Sequence, residues 1–420
     1  MRAMACHCFA VPERNVRRRS SLAHVWKRTV IALCAGASAG AASRAVAQGG
    51  TRRIPDRLAD TTFWRLVNGL SEPGGYFQSD NFVSNENEWQ FVIPGALASV
   101  KPGSVYVGVG PEQNFTYIVA FAPRIAFICD IRRQNMIEHL MYKALIEMSA
   151  DRAEFLSKLW SRARPPGLDS SSSPATLAAA FDGADADTAL YRRNLAAIFD
   201  QLAGKHKFEL SPGDSGSMRY VFNAFFVAGP GVAYTSGSGV TTLRINGRTV
   251  TTWQPVPAVA FSRAGGYPTF ASLMMEDDDA GTNRGWLGTE RAFQGLRDFE
   301  TRNLLVPIVG DFAGDKALRA VGDYARANNA RVGVFYVSNV EQYLFQSPDN
   351  WSKFYANVAT LPTDSTSIFI RSLSNRNWVP PRYAGSRMAQ ITSSIDDIVR
   401  AFQAGRVTVY SDVVELRKKD

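Results

Sequence analysis

Val105-Tyr-Val-Gly-Val-Gly-Pro-Glu-Gln113 leads, through a short intervening segment, to Ile125-Ala-Phe-Ile-Cys-Asp130. Val105 to Val109 and Ile125 to Ile131 are short, nearly continuous apolar runs, and Asn114 to Ala122 between them has helical spacing. Apolar runs without polar alternation mark strands covered on both faces, and therefore a parallel sheet with helices packed on either side. Gly108 and Gly110 fall where the first strand turns into the helix, and Asp130 ends the second strand 20 residues after Gly110. Glycines at such a turn let the backbone approach a ligand, the helix N-terminus offers free N–H groups, and a carboxylate at the second strand end can bind both hydroxyls of a ribose. The same residues also have a structural use, since glycine eases the turn and Asp130 can cap the helix that follows.

The pattern extends outward in both directions. Gln134 to Lys158 reads as one long helix. Near the C-terminus, strands are predicted at Leu304 to Val309, Val332 to Val337 and Ser367 to Ile370, with helices at Lys316 to Asn328, Trp351 to Leu361 and Ile391 to Ala404. Val407 to Val414 reads as a last strand. The fold class is α/β: a doubly wound, mostly parallel sheet carrying a large helical plus β-hairpin insertion. The insertion spans 160–300, with helical runs at about 175–204 and 215–228 and a hairpin from Thr241 to Thr252 turning on Asn246-Gly247, a type I′ signal. It is expected to cap a ligand site formed by 104–159 and 301–420. Residues 48–103 divide into a tail, a short amphipathic helix at Thr62 to Leu70, and a loop from Ser71 to Glu88. Tyr76, Phe77 and Phe82 in that loop predict order and a functional role.

Residues 1–47 have the form of an export signal. Arg14, Arg17, Arg18, Arg19, Lys27 and Arg28 precede an apolar stretch from Thr29 to Ala42 and an Ala45-Val46-Ala47 cleavage site. The stretch is too short for a lasting membrane span. Arg18-Arg19-Ser20-Ser21-Leu22 also fits a twin-arginine pattern, so both export routes stay open, to the periplasm or the exterior. The whole chain has a net charge of +9, but this segment holds eight basic residues and one acidic, which leaves the mature protein near +2. That balance gives no reason to expect nucleic acid or an anionic membrane as partner, and a small molecule is the expected ligand. Cys6, Cys8 and Cys34 leave with the signal, so Cys129 remains alone in an apolar run, without a disulfide partner and without a Cys/His zinc cluster.

Glu112 bears on which nucleotide could bind. Placed beside Gln113 at the helix N-terminus, its negative charge would repel a pyrophosphate, whereas S-adenosylmethionine has no phosphate and carries a sulfonium and an ammonium. Over about 100–160 and 300–375 the chain resembles the class I S-adenosylmethionine-dependent methyltransferases, through the glycine segment Val105 to Gln113 and the acidic strand end Ile128-Cys-Asp130. The resemblance implies cofactor contacts from Gly108, Gly110, Glu112, Gln113 and Asp130, with Asp311 and Phe312 near adenine. It places Ser338-Asn339-Val-Glu-Gln-Tyr343 opposite the reacting methyl group, so that Asn339, Glu341 and Tyr343 face a substrate. The chain departs from the family's pattern at Tyr106, where an acidic residue is usual, and at Glu112, where a third glycine is usual. It also resembles a group of uncharacterised exported bacterial proteins, a likeness that implies no activity.

Other motifs point less clearly to chemistry. Glu276-Asp-Asp-Asp279 could hold a divalent cation but lacks EF-hand spacing, so no metal site is assigned. Gly213-Asp214-Ser215 follows Pro212 rather than a strand, unlike a nucleophile elbow. His139 sits among apolar helix neighbours and is expected to pack, and His206 lies between two lysines and is expected to be exposed. Two functional readings stand: an exported methyltransferase-like protein, and a non-catalytic periplasmic binding protein on the same fold.

Overall fold

A computed structural model describes residues 53–234, 236–257, 267–373 and 388–418. The expected export signal, 1–47, lies outside them. Among the described residues no helix is long and apolar enough to cross a membrane. Six strands form the main sheet: β1 (Val105–Gly108), β2 (Ile125–Asp130), β5 (Leu305–Val309), β6 (Val332–Ser338), β7 (Ile368–Leu373) and β8 (Ala389–Ser394). Their spatial order is β5-β2-β1-β6-β7-β8, parallel throughout except for the antiparallel β7–β8 pair. The two strands β3 (Ser236–Ile245) and β4 (Arg248–Pro257) form a separate hairpin.

With the hairpin set aside, the order is that of a doubly wound sheet whose winding reverses between β1 and β6. Strands β1, β2 and β5 are buried at every residue, which is why they read as uninterrupted apolar runs. One continuous hydrophobic core joins the sheet to most of its surrounding helices, including those drawn from the insertion. In the hairpin turn Asn246 and Gly247 both have positive φ, +49° and +76°, as a type I′ turn requires.

Three expectations change. The long helix predicted from Gln134 to Lys158 is two helices, Arg133–Glu147 and Arg152–Trp160. Asp151 stops continuity because its side chain accepts from Glu154 N and so caps a second helix. The predicted helix from Ile391 begins only at Ile395, since the residues up to Ser394 pair with β7 and Ser394 caps the helix through Asp397 N. The predicted strand at Val407 to Val414 contains a helix, Tyr410–Glu415. There Asp412 accepts from the backbone N–H groups of Thr408 and Val409, 2.8 and 3.0 Å away, a local bond that outweighs β propensity.

Candidate functional site

The sheet's reversal point opens a cavity at the C-terminal ends of β1, β2, β5 and β6. Its enclosed space is about 210 Å3, and the total empty space including the mouth is about 960 Å3. The larger figure lies within the range of about 300–1,000 Å3 typical of small-molecule pockets. Gly110, Gln113, Asp130, Asp311, Phe312, Asn339 and Tyr343, all singled out from sequence, line it together.

Gly110 has φ +80°, a conformation that favours glycine, at the turn from β1 into the helix Gln113–Phe121. Asn114 holds the turn. Its side-chain nitrogen donates to the carbonyls of Val109, Gly110 and Pro111 at 2.9, 3.2 and 2.8 Å, and its oxygen accepts from the Tyr106 hydroxyl at 2.8 Å. Tyr106, the departure from the methyltransferase pattern, thus serves the loop from below. His139 Nε2 adds a contact to the Gly110 carbonyl at 2.9 Å, and burial pushes its pKa down to about 4. Gly108 does not line the cavity. It leaves room beneath the loop, where a Cβ would stand 2.0 Å from Asn114 Oδ1.

Asp130 ends β2 and is almost wholly buried. Arg132 takes both its oxygens, Nε to Oδ1 at 3.0 Å and Nη2 to Oδ2 at 2.8 Å. The remaining guanidinium nitrogen donates to the carbonyls of Ser79 and Asp80 at 3.2 and 2.5 Å, tying the 71–88 loop to the cavity wall. That loop contributes Phe77, Asn81, Ser84 and Asn85 to the lining, as its aromatic content led us to expect of an ordered segment. Among the described residues, the insertion contributes Tyr234 to the lining, and the N-terminal loop contributes the larger part of the described cover.

Asp311 follows β5. Its Oδ1 accepts from Ala313 N at 2.9 Å, and its own N–H donates to Glu72 at 3.3 Å. Glu72 also accepts from the N–H groups of Lys316 and Ala317, fixing the start of the helix Ala317–Ala327. Phe312 is buried and stacks on Phe354, with ring centroids 5.5 Å apart. Tyr343 meets the edge of Phe77 at 5.3 Å across the mouth.

Two sequence candidates lie elsewhere. Glu112 turns away from the cavity into the core beside Trp89 and Trp286, accepts from Ser84 N at 3.3 Å, and has its pKa raised to about 8 by burial. It points away from the cavity and burial favours its neutral form, so the expected repulsion of a pyrophosphate does not arise from it. Glu341 is fully buried and paired with Arg371, Oε2 to Nε at 2.5 Å and Oε1 to Nη2 at 3.2 Å, and it also accepts from Tyr355. It braces β7 against the helix Val340–Leu344 instead of facing a substrate.

Sequence reasoning missed Glu86 and Tyr336, and named Ser338 only as the start of the segment 338–343 without giving it a role. Glu86 is fully buried and accepts from Tyr336 Oη at 2.7 Å, from Ser338 Oγ and from Gln390 Nε2 at 3.2 Å. Burial pushes its pKa up, and the hydrogen bonds from Ser338, Ser372, Tyr336 and Gln390 pull it back. Tyr336 in turn accepts from Gln113 Nε2 at 2.8 Å. Ser338, at the end of β6, lines the cavity with φ +53°, strained for a serine. The polar Tyr336 within an apolar strand was the one available signal.

His206 is half-buried rather than exposed, bridging Glu147 at 2.6 Å and Asp60 at 3.0 Å.

The model of a family described as Domain of unknown function (DUF7790) matches residues 81–202 and 267–417, well over half of the chain. The chain belongs to the DUF7790 family. The two matched segments carry all six strands of the main sheet and the residues that build the DUF7790 cavity at Gly110, Asp130, Asp311 and Asn339. The β3–β4 hairpin falls between them. No curated protein matches the chain.

Proposed function

We propose that this is an exported protein that binds S-adenosylmethionine or a related nucleoside in the cavity at the β1/β6 reversal and transfers a methyl group to a small molecule. The observation that carries the reading is the charge of the cavity wall. Its charged residues, among those described, are Asp130, Asp311 and Arg132, and Arg132 is already bound to Asp130. A diphosphate would meet two carboxylates and one engaged cation, whereas a nucleoside bearing a sulfonium is compatible with that wall. The turn at Gly110 allows close backbone approach, Asp130 and Asp311 stand at the ends of adjacent strands, and Asn339 and Tyr343 lie across the cavity. Methyl transfer depends chiefly on holding donor and acceptor in line, so it needs no strong general base. The leader-like residues 1–47 support export.

One observation favours the second reading, a non-catalytic binding protein. Both Asp130 oxygens are engaged by Arg132, so a ribose must share that carboxylate. S-adenosylmethionine is also a cytosolic compound, and an exported enzyme would lack resupply. Titrating the protein with S-adenosylmethionine and S-adenosylhomocysteine separates the readings from a nucleoside-free site. Product formation with candidate acceptors then separates catalysis from binding.

A further inference from the structure

Glu86 is a buried carboxylate that no cation pairs with among the described residues. Leaving a charge so placed is costly unless its donors are well organised or it serves the site. Tyr336, Ser338 and Gln390 all direct donors at its two oxygens, so the hydroxyl protons of Tyr336 and Ser338 point at the carboxyl group. The Tyr336 oxygen is then free only to accept, and it takes the amide N–H of Gln113. That fixes which way round the Gln113 amide lies. Its carbonyl oxygen has no partner in the protein although the residue is 97% buried at the cavity wall. Ser338, its proton spent on Glu86, likewise presents lone pairs. The β6 side of the cavity therefore presents the acceptor oxygens of Gln113 and Ser338, backed by the Glu86 carboxyl group, and the aromatic pair Phe77 and Tyr343 stands at the mouth.

We propose that this side of the cavity is a subsite for a protonated amine attached to an apolar or aromatic body, and that such an amine is the small molecule sharing the cavity with the nucleoside. The proposal rests on the reading of the cavity as a ligand site and deepens it by naming the acceptor class. Transfer would require the ammonium first to give up one proton to water; the freed nitrogen lone pair would then form the carbon–nitrogen bond as the sulfonium carbon–sulfur bond breaks, its electron pair staying on sulfur. Glu86 acts through Ser338 and Tyr336 and is a positioning residue.

The test uses two matched probes, phenethylamine and phenylpropionate, titrated into the mature protein by calorimetry and ligand-observed NMR without any nucleoside. The amine should bind at least about tenfold more tightly than the acid. Glu86→Gln supplies a donor in place of an acceptor, lets Tyr336 and Gln113 reverse, and should erase that preference. Tyr336→Phe frees the Gln113 amide and removes one donor from Glu86, and should reduce the preference several-fold, which keeps the test decisive where Glu86→Gln does not fold. Glu86→Asp should restore part of the preference. Equal binding of both probes, preference for the carboxylate, no binding of the amine at millimolar concentration, or a preference unchanged in folded variants would each overturn the proposal. Amine preference without nucleoside binding would leave this subsite standing and remove the methyltransferase reading, and nucleoside binding without amine preference would do the reverse.

Discussion

Arg132 grips Asp130 through two side-chain hydrogen bonds and, with its third nitrogen, holds the carbonyls of Ser79 and Asp80, so that one guanidinium joins the second strand of the sheet to the loop over the cavity. Both side chains of the pair are more than nine-tenths buried. Removing one partner of a buried pair strands the other, at a cost of about 3–5 kcal/mol. Arg132→Ala should lose stability in that range and also loosen the 71–88 loop. Asp130→Ala with Arg132→Ala should cost much less than the sum of the two single changes. Denaturant unfolding of the cycle checks this, and additive losses would show that the pair acts as two independent residues.

Glu341 and Arg371 form a second buried pair, with no exposed surface on either side chain. Glu341→Ala should destabilise the protein by about 3–5 kcal/mol by leaving Arg371 uncompensated. Ligand affinity at the cavity should stay within about threefold of the parent once folding is ensured. A selective loss of binding at unchanged melting temperature would return Glu341 to the substrate wall.

Glu112 and Glu300 are both fully buried, and burial raises each to a pKa of about 8. A carboxyl raised on folding holds its proton longer in the folded state, so its contribution is complete below its ordinary value of 4.5 and is lost as pH climbs through about 8. His206 works in the same direction: burial lowers it, but the hydrogen bond and charge of Glu147 outweigh that and leave it raised. His139 and Glu147, lowered to about 4 and about 2, are flat above pH 6.5. Melting temperature should therefore fall from pH 6.5 to 9, and Glu112→Gln and Glu300→Gln should each flatten the slope.

Gly108 and Gly110 should respond differently to alanine. Gly110→Ala places a side chain at φ +80° with its nearest neighbour 3.4 Å away, a conformational cost of about 1–2 kcal/mol. Gly108→Ala drives a Cβ into Asn114 and Tyr106 and should dismantle the clamp on the loop, with a larger loss of stability. Differential scanning calorimetry of the two variants ranks them.

The sheet was legible because β1, β2, β5 and β6 are buried on both faces, and such strands announce themselves as apolar runs at Val105, Ile125, Leu305 and Val332. The hairpin was legible from Asn246-Gly247 alone. Asn339 and Tyr343 were placed on the cavity by the resemblance to the methyltransferases, and both line it. Glu112 and Glu341 were misplaced because nothing in their local pattern shows which way a side chain turns, and each faces partners distant in sequence. Glu86 was invisible for the same reason: its donors, Tyr336, Ser338 and Gln390, lie about 250 to 304 residues away. The C-terminal helix was hidden by β-branched residues, whose propensity gave way to the Asp412 cap.

The central claim is that the cavity at the β1/β6 reversal holds a nucleoside without phosphates. Calorimetric titration of residues 48–420 with S-adenosylmethionine and S-adenosylhomocysteine, alongside Asp130→Ala, tests it most directly. One-to-one micromolar binding that is lost in the variant is the expected result. No heat and no thermal shift, from protein verified as folded and free of ligand, would contradict it.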